Sequence, residues 1–325
     1  MIVDCHAHLT PPSCLDEMRK AAPKVPSVRL IEQDGSLAFS FAGNKPTRAV
    51  AKGLSDIPGR LAWMDKNGID YQVCGGWVDS FGYEIPAAEG EIWSRVINDT
   101  LMETARSQKR IVPLASVPMQ DGALAGRMLR EAMDQGFPGV MISTLPHGIG
   151  SVLDAPDLDP FWKAADDTGA VVHIHPSFDA GDSRVHDYGL PNGIGRVSDA
   201  IVAVSRLLMS GHVIRYRNAK IFVPIGASGL PFAVGRLMQT HSITPGTADP
   251  SEGLALLYTD TVVHDPRVLR FVVDMMGADR LMMGSDMPFP IGDLEPMTIV
   301  GQAGLGADQV AMINGGLAQR LFKIE

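Results

Sequence analysis

The first residues able to do chemistry lie in Asp4-Cys5-His6-Ala7-His8, where two imidazoles are spaced by a single residue. In an extended strand, alternate residues share a face, so His6 and His8 can both reach one ion. Imidazole nitrogen suits borderline divalent metals such as zinc. A second pair, His173 and His175, closes the apolar run Val171-Val172-His173-Ile174-His175-Pro176, and Gly284-Ser285-Asp286-Met287-Pro288-Phe289 places a carboxylate after another such run. His6, His8, His175 and Asp286 would together offer nitrogen and oxygen ligands and leave an open position for water or substrate, as a catalytic site requires. His173 shares the inward face of its strand with His175, one layer deeper, and reads either as a partner of the ligands or as a core histidine.

Residues so far apart in sequence converge only if their elements end at one mouth. Eight short apolar runs can be counted, at residues 1–3, 71–77, 110–117, 139–145, 170–175, 220–226, 256–262 and 280–284. Between them lie segments of helical periodicity, such as 92–108, 123–135, 158–168, 198–210 and 266–276, several opening on Asp121-Gly122 or Asp265-Pro266 signals. This alternation predicts a parallel sheet, and runs such as Ile221-Phe222-Val223-Pro224-Ile225 and Leu281-Met282-Met283 read as strands buried on both faces. No GxGxxG follows the first strand, so an open dinucleotide-binding sheet is disfavoured. The expectation is an α/β fold, one (β/α)8 TIM barrel spanning residues 1–325, with its active site at the carboxyl ends of the strands. Residues 11–57, rich in Pro, Gly and Ser with a hairpin around Gln33-Asp34-Gly35-Ser36, read as an insertion after strand one that covers the mouth.

Composition narrows the function further. Hydrophobic residues at 45% and charged residues at 20% suit a sizeable core and exclude disorder and coiled coil. The apolar runs fall far short of the roughly 20 residues that cross a bilayer, and no secretory signal is visible, which predicts a cytoplasmic protein away from membranes. A formal charge of −9 offers no basic field for a phosphate backbone, so nucleic acid is not an expected partner. The three cysteines, Cys5, Cys14 and Cys74, are odd in number and unrelated in spacing, which suggests neither a disulfide framework nor a thiolate zinc site.

Over nearly the whole chain, the sequence resembles the amidohydrolase superfamily, in the branch typified by aminocarboxymuconate semialdehyde decarboxylase. The segments that carry the resemblance are Asp4-Cys5-His6-Ala7-His8, Met64-Asp65-Lys66-Asn67-Gly68-Ile69, Val117-Pro118-Met119-Gln120, Gly136-Phe137-Pro138-Gly139-Val140, His175-Pro176, Val263-His264-Asp265-Pro266 and Gly284-Ser285-Asp286-Met287-Pro288-Phe289-Pro290. The resemblance implies a (β/α)8 barrel holding one divalent ion, zinc before manganese or iron, on the residues matching His6, His8, His175 and Asp286. It also implies a homodimer that decarboxylates, hydrates or hydrolyses small carboxylated aromatic or dienoic compounds.

The chain departs from the family pattern at strand six. There the family ends the strand in an acid/base histidine followed by glycines, whereas this sequence reads Phe222-Val223-Pro224-Ile225-Gly226-Ala227-Ser228-Gly229. Ile225 cannot transfer a proton, a contribution that histidine typically makes worth about 10²–10⁴-fold in rate. Proton transfer would then fall to Asp286 or His264, with Ser228 a weaker candidate. Arg48, in Pro46-Thr47-Arg48-Ala49, matches the family's carboxylate-binding arginine. The family's second substrate arginine, contributed across the dimer, falls near Thr244, and its aromatic after the strand-five His-Pro is missing from His175-Pro176-Ser177-Phe178-Asp179. Ile225 and Ser228 would therefore line a rebuilt pocket, and residues 182–196, with Arg184, His186, Tyr188 and Asn192, would select the substrate. Decarboxylation is the expected reaction. Hydrolysis of a C–C or amide bond, with Asp286 shuttling the proton, is the alternative, and a barrel that binds metal or ligand without catalysis is the third reading.

Overall fold

The computed structural model describes residues 1–33 and 35–325. Its strands are β1 (Val3–His8), β2 (Val28–Gln33), β3 (Ser36–Phe41), β4 (Tyr71–Gly75), β5 (Ile111–Pro113), β6 (Gly139–Ser143), β7 (Val171–His175), β8 (Lys220–Val223), β9 (Tyr258–Asp260) and β10 (Leu281–Met282). β1, β4 and β5 pair in parallel, as do β6 through β10 in chain order. Two seams close these sheets on each other. Ala115 bridges Val140 beyond β5, and Ala7 bridges Met287 while the Cys5 amide donates to Met283 O at 2.8 Å. The eight parallel strands thus form the expected barrel, and every residue of β1, β6 and β7 is buried, as strands covered on both faces must be.

The surrounding helices follow from amphipathic spacing and caps. Pro266–Met276 buries Leu269, Val272, Val273 and Met276, an i, i+3, i+4, i+7 stripe, and Asp265 caps it by accepting from the Arg267 amide at 2.8 Å. Asp121 caps Gly122–Asp134 in the same way through Leu124. Asp159–Thr168 ends on Gly169 in the left-handed conformation, and Ala87–Ser107 starts behind Pro86, ahead of the periodicity read from residue 92.

Most strands are shorter than the apolar runs read for them, Ile111–Pro113 and Tyr258–Asp260 included, and two of the altered bounds have a clear cause. Strand one runs to His8 rather than stopping at residue 3, so its histidines lie inside the strand. Strand six stops at Val223 rather than at residue 226, because Pro224 has no amide to continue the ladder. The segment 11–57 is also more ordered than its composition suggested, beginning with the helix Pro12–Ala21. β2 and β3 pair antiparallel with Gln33 opposite Ser36, while Asp34 of the expected turn lies outside the described residues. Phe39 and Phe41 rest on Trp93, at 5.7 and 6.1 Å between ring centroids, so the hairpin packs on Ala87–Ser107. Its return segment meets the loops after β1 and β10, where the Thr10 amide donates to Leu54 O at 2.9 Å and Gly53 abuts Pro288. Among the described residues no helix is long and apolar enough to cross a membrane.

Candidate metal centre

β1 supplies His6 and His8, β7 supplies His175, and the loop after β10 supplies Asp286. One ligand-type atom from each lies within 4.8 Å of every other. Asp286 Oδ1 stands 3.2 Å from His8 Nε2 and 3.6 Å from His6 Nε2. His6 Nε2, His8 Nε2 and Asp286 Oδ1 are all cut off from solvent without a hydrogen-bond partner. A buried polar atom left unpaired costs about 1–3 kcal/mol, so three of them converging on one point fit a divalent ion, which would satisfy all at once.

The opposite edges of the imidazoles are all committed to oxygen acceptors. His6 Nδ1 lies 2.7 Å from Asp260 Oδ2, His8 Nδ1 lies 3.3 Å from Gly76 O, and His175 Nδ1 lies 2.9 Å from Pro176 O. These oxygens only accept, so each Nδ1 carries the proton and each Nε2 presents a lone pair, the tautomer that ligates metal. Burial lowers the basicity of His8 and lowers that of His175 much further, favouring neutral rings. For His6 the same burial is outweighed by Asp260 and Asp286, which raise its pKa. Burial by itself would lift Asp286, but His8 and His6 outweigh it and hold the carboxyl below its ordinary range.

Asp260, at the end of β9, also accepts from the amides of Gly226 and Val262 at 3.2 and 3.1 Å, and so ties β1, β9 and the turn after β8 together. Gly284 must lack a side chain, since a Cβ there would sit 2.9 Å from the Asp260 Cβ and 3.1 Å from the His6 Cβ. Beneath the ligands, Asp4 accepts from the His6 amide, the Ser285 amide and the Ser285 hydroxyl at 3.1, 3.0 and 2.5 Å. Gln72 donates to Asp4 at 2.8 Å and accepts from the fully buried Arg60 at 2.5 Å, while Arg60 also donates to His8 O at 2.5 Å. The sequence reading missed Asp4, Arg60, Gln72 and Asp260. Of these Asp4 and Asp260 left a signal, Asp4 as the carboxylate following the first apolar run and Asp260 as a carboxylate within the seventh.

His173 is the core histidine of the two readings, though its ring nitrogens find no hydrogen bond among the described residues. It is fully buried, and its ring packs 4.7 Å from His6 and 4.2 Å from Phe222. Burial holds it well below the usual histidine range, so it is a neutral ring used for packing.

At the strand-six end, Ile225, Gly226, Ala227, Ser228 and Gly229 all adopt left-handed φ values, 59°, 58°, 56°, 49° and 80°. For a β-branched residue such as Ile225 this is a strained conformation, held because Gly226 donates to Asp260 and Ala227 donates to Thr259 Oγ1 at 2.5 Å. Ser228 is buried and its hydroxyl is spent on Pro224 O at 2.9 Å. His264 is exposed at φ 57°, with no hydrogen bond among the described residues, and stands outside the ligand cluster.

Around the mouth, Arg48 pairs with Asp79 at 2.9 Å and its guanidinium lies 3.9 Å from the centre of the Phe178 ring. Phe178, one place beyond the position where an aromatic was expected, thus forms part of the wall. Arg184 is 87% exposed and bound to Asp182, away from the ligands' buried surroundings. Asn192 Oδ1 accepts from Arg196 Nε at 3.1 Å, and Arg196 Nη1 donates to Pro176 O at 2.8 Å. Arg196, which closed the predicted selector stretch without being named in it, is therefore the buried cation beside His175.

The family model described as amidohydrolase matches residues 3–324. A 2-amino-3-carboxymuconate-6-semialdehyde decarboxylase of Dictyostelium discoideum is 26% identical over 306 residues, covering 92% of this chain and 84% of the relative. The solved 5-carboxyvanillate decarboxylase of Sphingomonas paucimobilis superposes with a TM-score of 0.82 at 24% identity, covering 100% of this chain and 99% of its own. The 5-carboxyvanillate decarboxylase of Novosphingobium aromaticivorans, solved with manganese and 4-hydroxy-3-methoxy-5-nitrobenzoic acid, gives 0.82 at 19% identity over 100% and 96% of the two chains.

Proposed function

This chain belongs to the amidohydrolase family, and on that premise we propose that it is a metal-dependent decarboxylase of a small carboxylated aromatic or ring-cleavage product. The observation that carries the reading is the convergence of unpartnered His6 Nε2, His8 Nε2 and Asp286 Oδ1 with His175 at the mouth of the barrel. His6, His8, His175 and Asp286 would hold the ion. Zinc suits this nitrogen-rich set, and the manganese in the Novosphingobium structure makes manganese an equal candidate, with iron third. When bound, the ion would supply Lewis-acid stabilisation of negative charge on a substrate oxygen.

In decarboxylation the bond between the ring and the carboxylate carbon breaks, carbon dioxide leaves, and a proton takes its place on carbon. Ile225 can neither hold nor move that proton. Asp286 is the residue to carry it, on Oδ2, the oxygen not turned into the ligand cluster. His264 is the second donor, exposed on the loop after β9. Arg48 and Phe178 would position the substrate's charge and ring at the mouth, with Ile225 forming an apolar wall.

Hydrolysis of a C–C or amide bond remains the competing reading because the strand-six position holds Ile225. The whole of residues 1–325 reads as one domain. A homodimer is supported by Val202, Phe232, Met238 and Ile243, 61%, 87%, 44% and 72% exposed on the helices Arg196–Met209 and Leu230–Ile243. Three free thiols agree with a cytoplasmic protein.

The test begins with metal content of the wild type and His175→Ala by plasma mass spectrometry. About one ion per chain, lost in the variant, supports the centre. A panel of carboxylated aromatics and ring-fission acids then separates the reactions: carbon dioxide release with solvent proton on carbon supports decarboxylation, whereas solvent oxygen in a new acid overturns it.

A further inference from the structure

Arg196 is buried, 9% exposed, yet no carboxylate of the described residues stands within ion-pair distance of its guanidinium. Its Nε is held by Asn192 Oδ1 and its Nη1 by Pro176 O, and its Nη2 is neither bonded nor closed off from solvent. These two restraints hold the fork rigid, with one donor edge open. The guanidinium carbon lies 5.4 Å from the centre of the Phe178 ring, the same ring that Arg48 covers at 3.9 Å. The two arginines differ in one respect. Arg48 is paired with Asp79 at 2.9 Å, whereas Arg196 has no carboxylate of the described residues at ion-pair distance and feels only the longer-range fields of Asp79, Asp286 and Asp199. A cation buried without its counter-ion is costly, and an anionic ligand is the natural complement.

We propose that Arg196 is the specificity determinant for a second anionic group on the substrate, an aromatic or dienoic acid that carries another carboxylate or an ionised oxygen besides the carboxylate it loses. This rests on the decarboxylase reading. The assignment to the retained group follows from the charge change in the reaction. A carboxylate leaving as carbon dioxide surrenders its charge, so a strong ion pair with it would stabilise the ground state more than the transition state. A group that keeps its charge throughout incurs no such loss. Asn192 is then a positioning residue, which fixes the open edge of the fork rather than touching the substrate. Arg184, paired with Asp182 and exposed, has no comparable part.

The test is titration calorimetry of the manganese-loaded protein with benzoate and with benzene-1,2-, 1,3- and 1,4-dicarboxylate. Wild type should bind at least one dicarboxylate on the order of 10- to 100-fold more tightly than benzoate, the value of a charge-assisted hydrogen bond. Arg196→Met should abolish that preference while benzoate affinity and bound manganese stay unchanged, and Arg196→Lys should recover part of it. Asn192→Ala, which keeps the charge and loosens it, should reduce the preference and decides the matter if Arg196→Met does not fold. Absence of any preference in wild type, or equal loss of benzoate and dicarboxylate binding in folded, metal-loaded variants, overturns the proposal. Failure of every acid to release carbon dioxide would overturn the decarboxylase reading and leave the measured binding preference standing as a separate result.

Discussion

Replacing Asp260 with Asn tests how the centre is held. Asp260 accepts three bonds: from His6 Nδ1 at 2.7 Å, and from the Gly226 and Val262 amides at 3.2 and 3.1 Å. An asparagine of the same shape keeps its oxygen on the two backbone amides, because turning it round would set NH2 against two N–H donors. Its nitrogen then faces His6 Nδ1 and donates to it. The His6 proton moves to Nε2, the atom that points into the ligand cluster, and binding an ion requires the tautomer to be reversed. Loss of such an orienting partner costs about 10- to 100-fold in metal affinity, or about 1.4–2.8 kcal/mol. The assay is competition for manganese and for zinc between the protein and a chromophoric chelator, beside a thermal melt showing that the metal-free variant is folded. A folded Asp260→Asn protein whose affinity for both ions falls by less than twofold would refute the reasoning.

Two further outcomes follow from the buried polar groups. Arg60→Leu removes donors from Gln72 Oε1 and His8 O and should lower the stability of the metal-free protein by about 2–5 kcal/mol in urea unfolding, and a loss under about 1 kcal/mol would show the network to be dispensable. Burial raises Asp199 above the ordinary carboxylate value of 3.8, so its contribution to stability is complete below that pH and declines as pH rises through the higher folded value. Asp199→Asn, which cannot ionise, should therefore gain in stability relative to the wild type as pH rises from acid to neutral, measured by denaturant titration at several pH values, and an unchanged difference across that range would refute it.

The residue types and spacings in the sequence were enough to define the barrel and to single out His6, His8, His175 and Asp286, the four residues that the fold brings together. Alternate histidines on one strand share a face whatever surrounds them, and Asp286 follows an apolar run, so both signals are local. Alternating apolar runs and amphipathic segments likewise constrain the class of fold. The length of β1 was misjudged because His6 and His8 are polar residues facing inward, and composition reads polar residues as a strand's end. What only the tertiary structure decided depends on pairing across long separations. Asp260 meets His6, Arg60 reaches His8 and Gln72, and Ser285 closes on Asp4 because barrel closure brings distant segments together. The same holds for Arg196. In sequence it is one more polar residue at a helix start, and it becomes a buried, unpaired charge only when Pro176, Asn192 and Phe178 are folded around it.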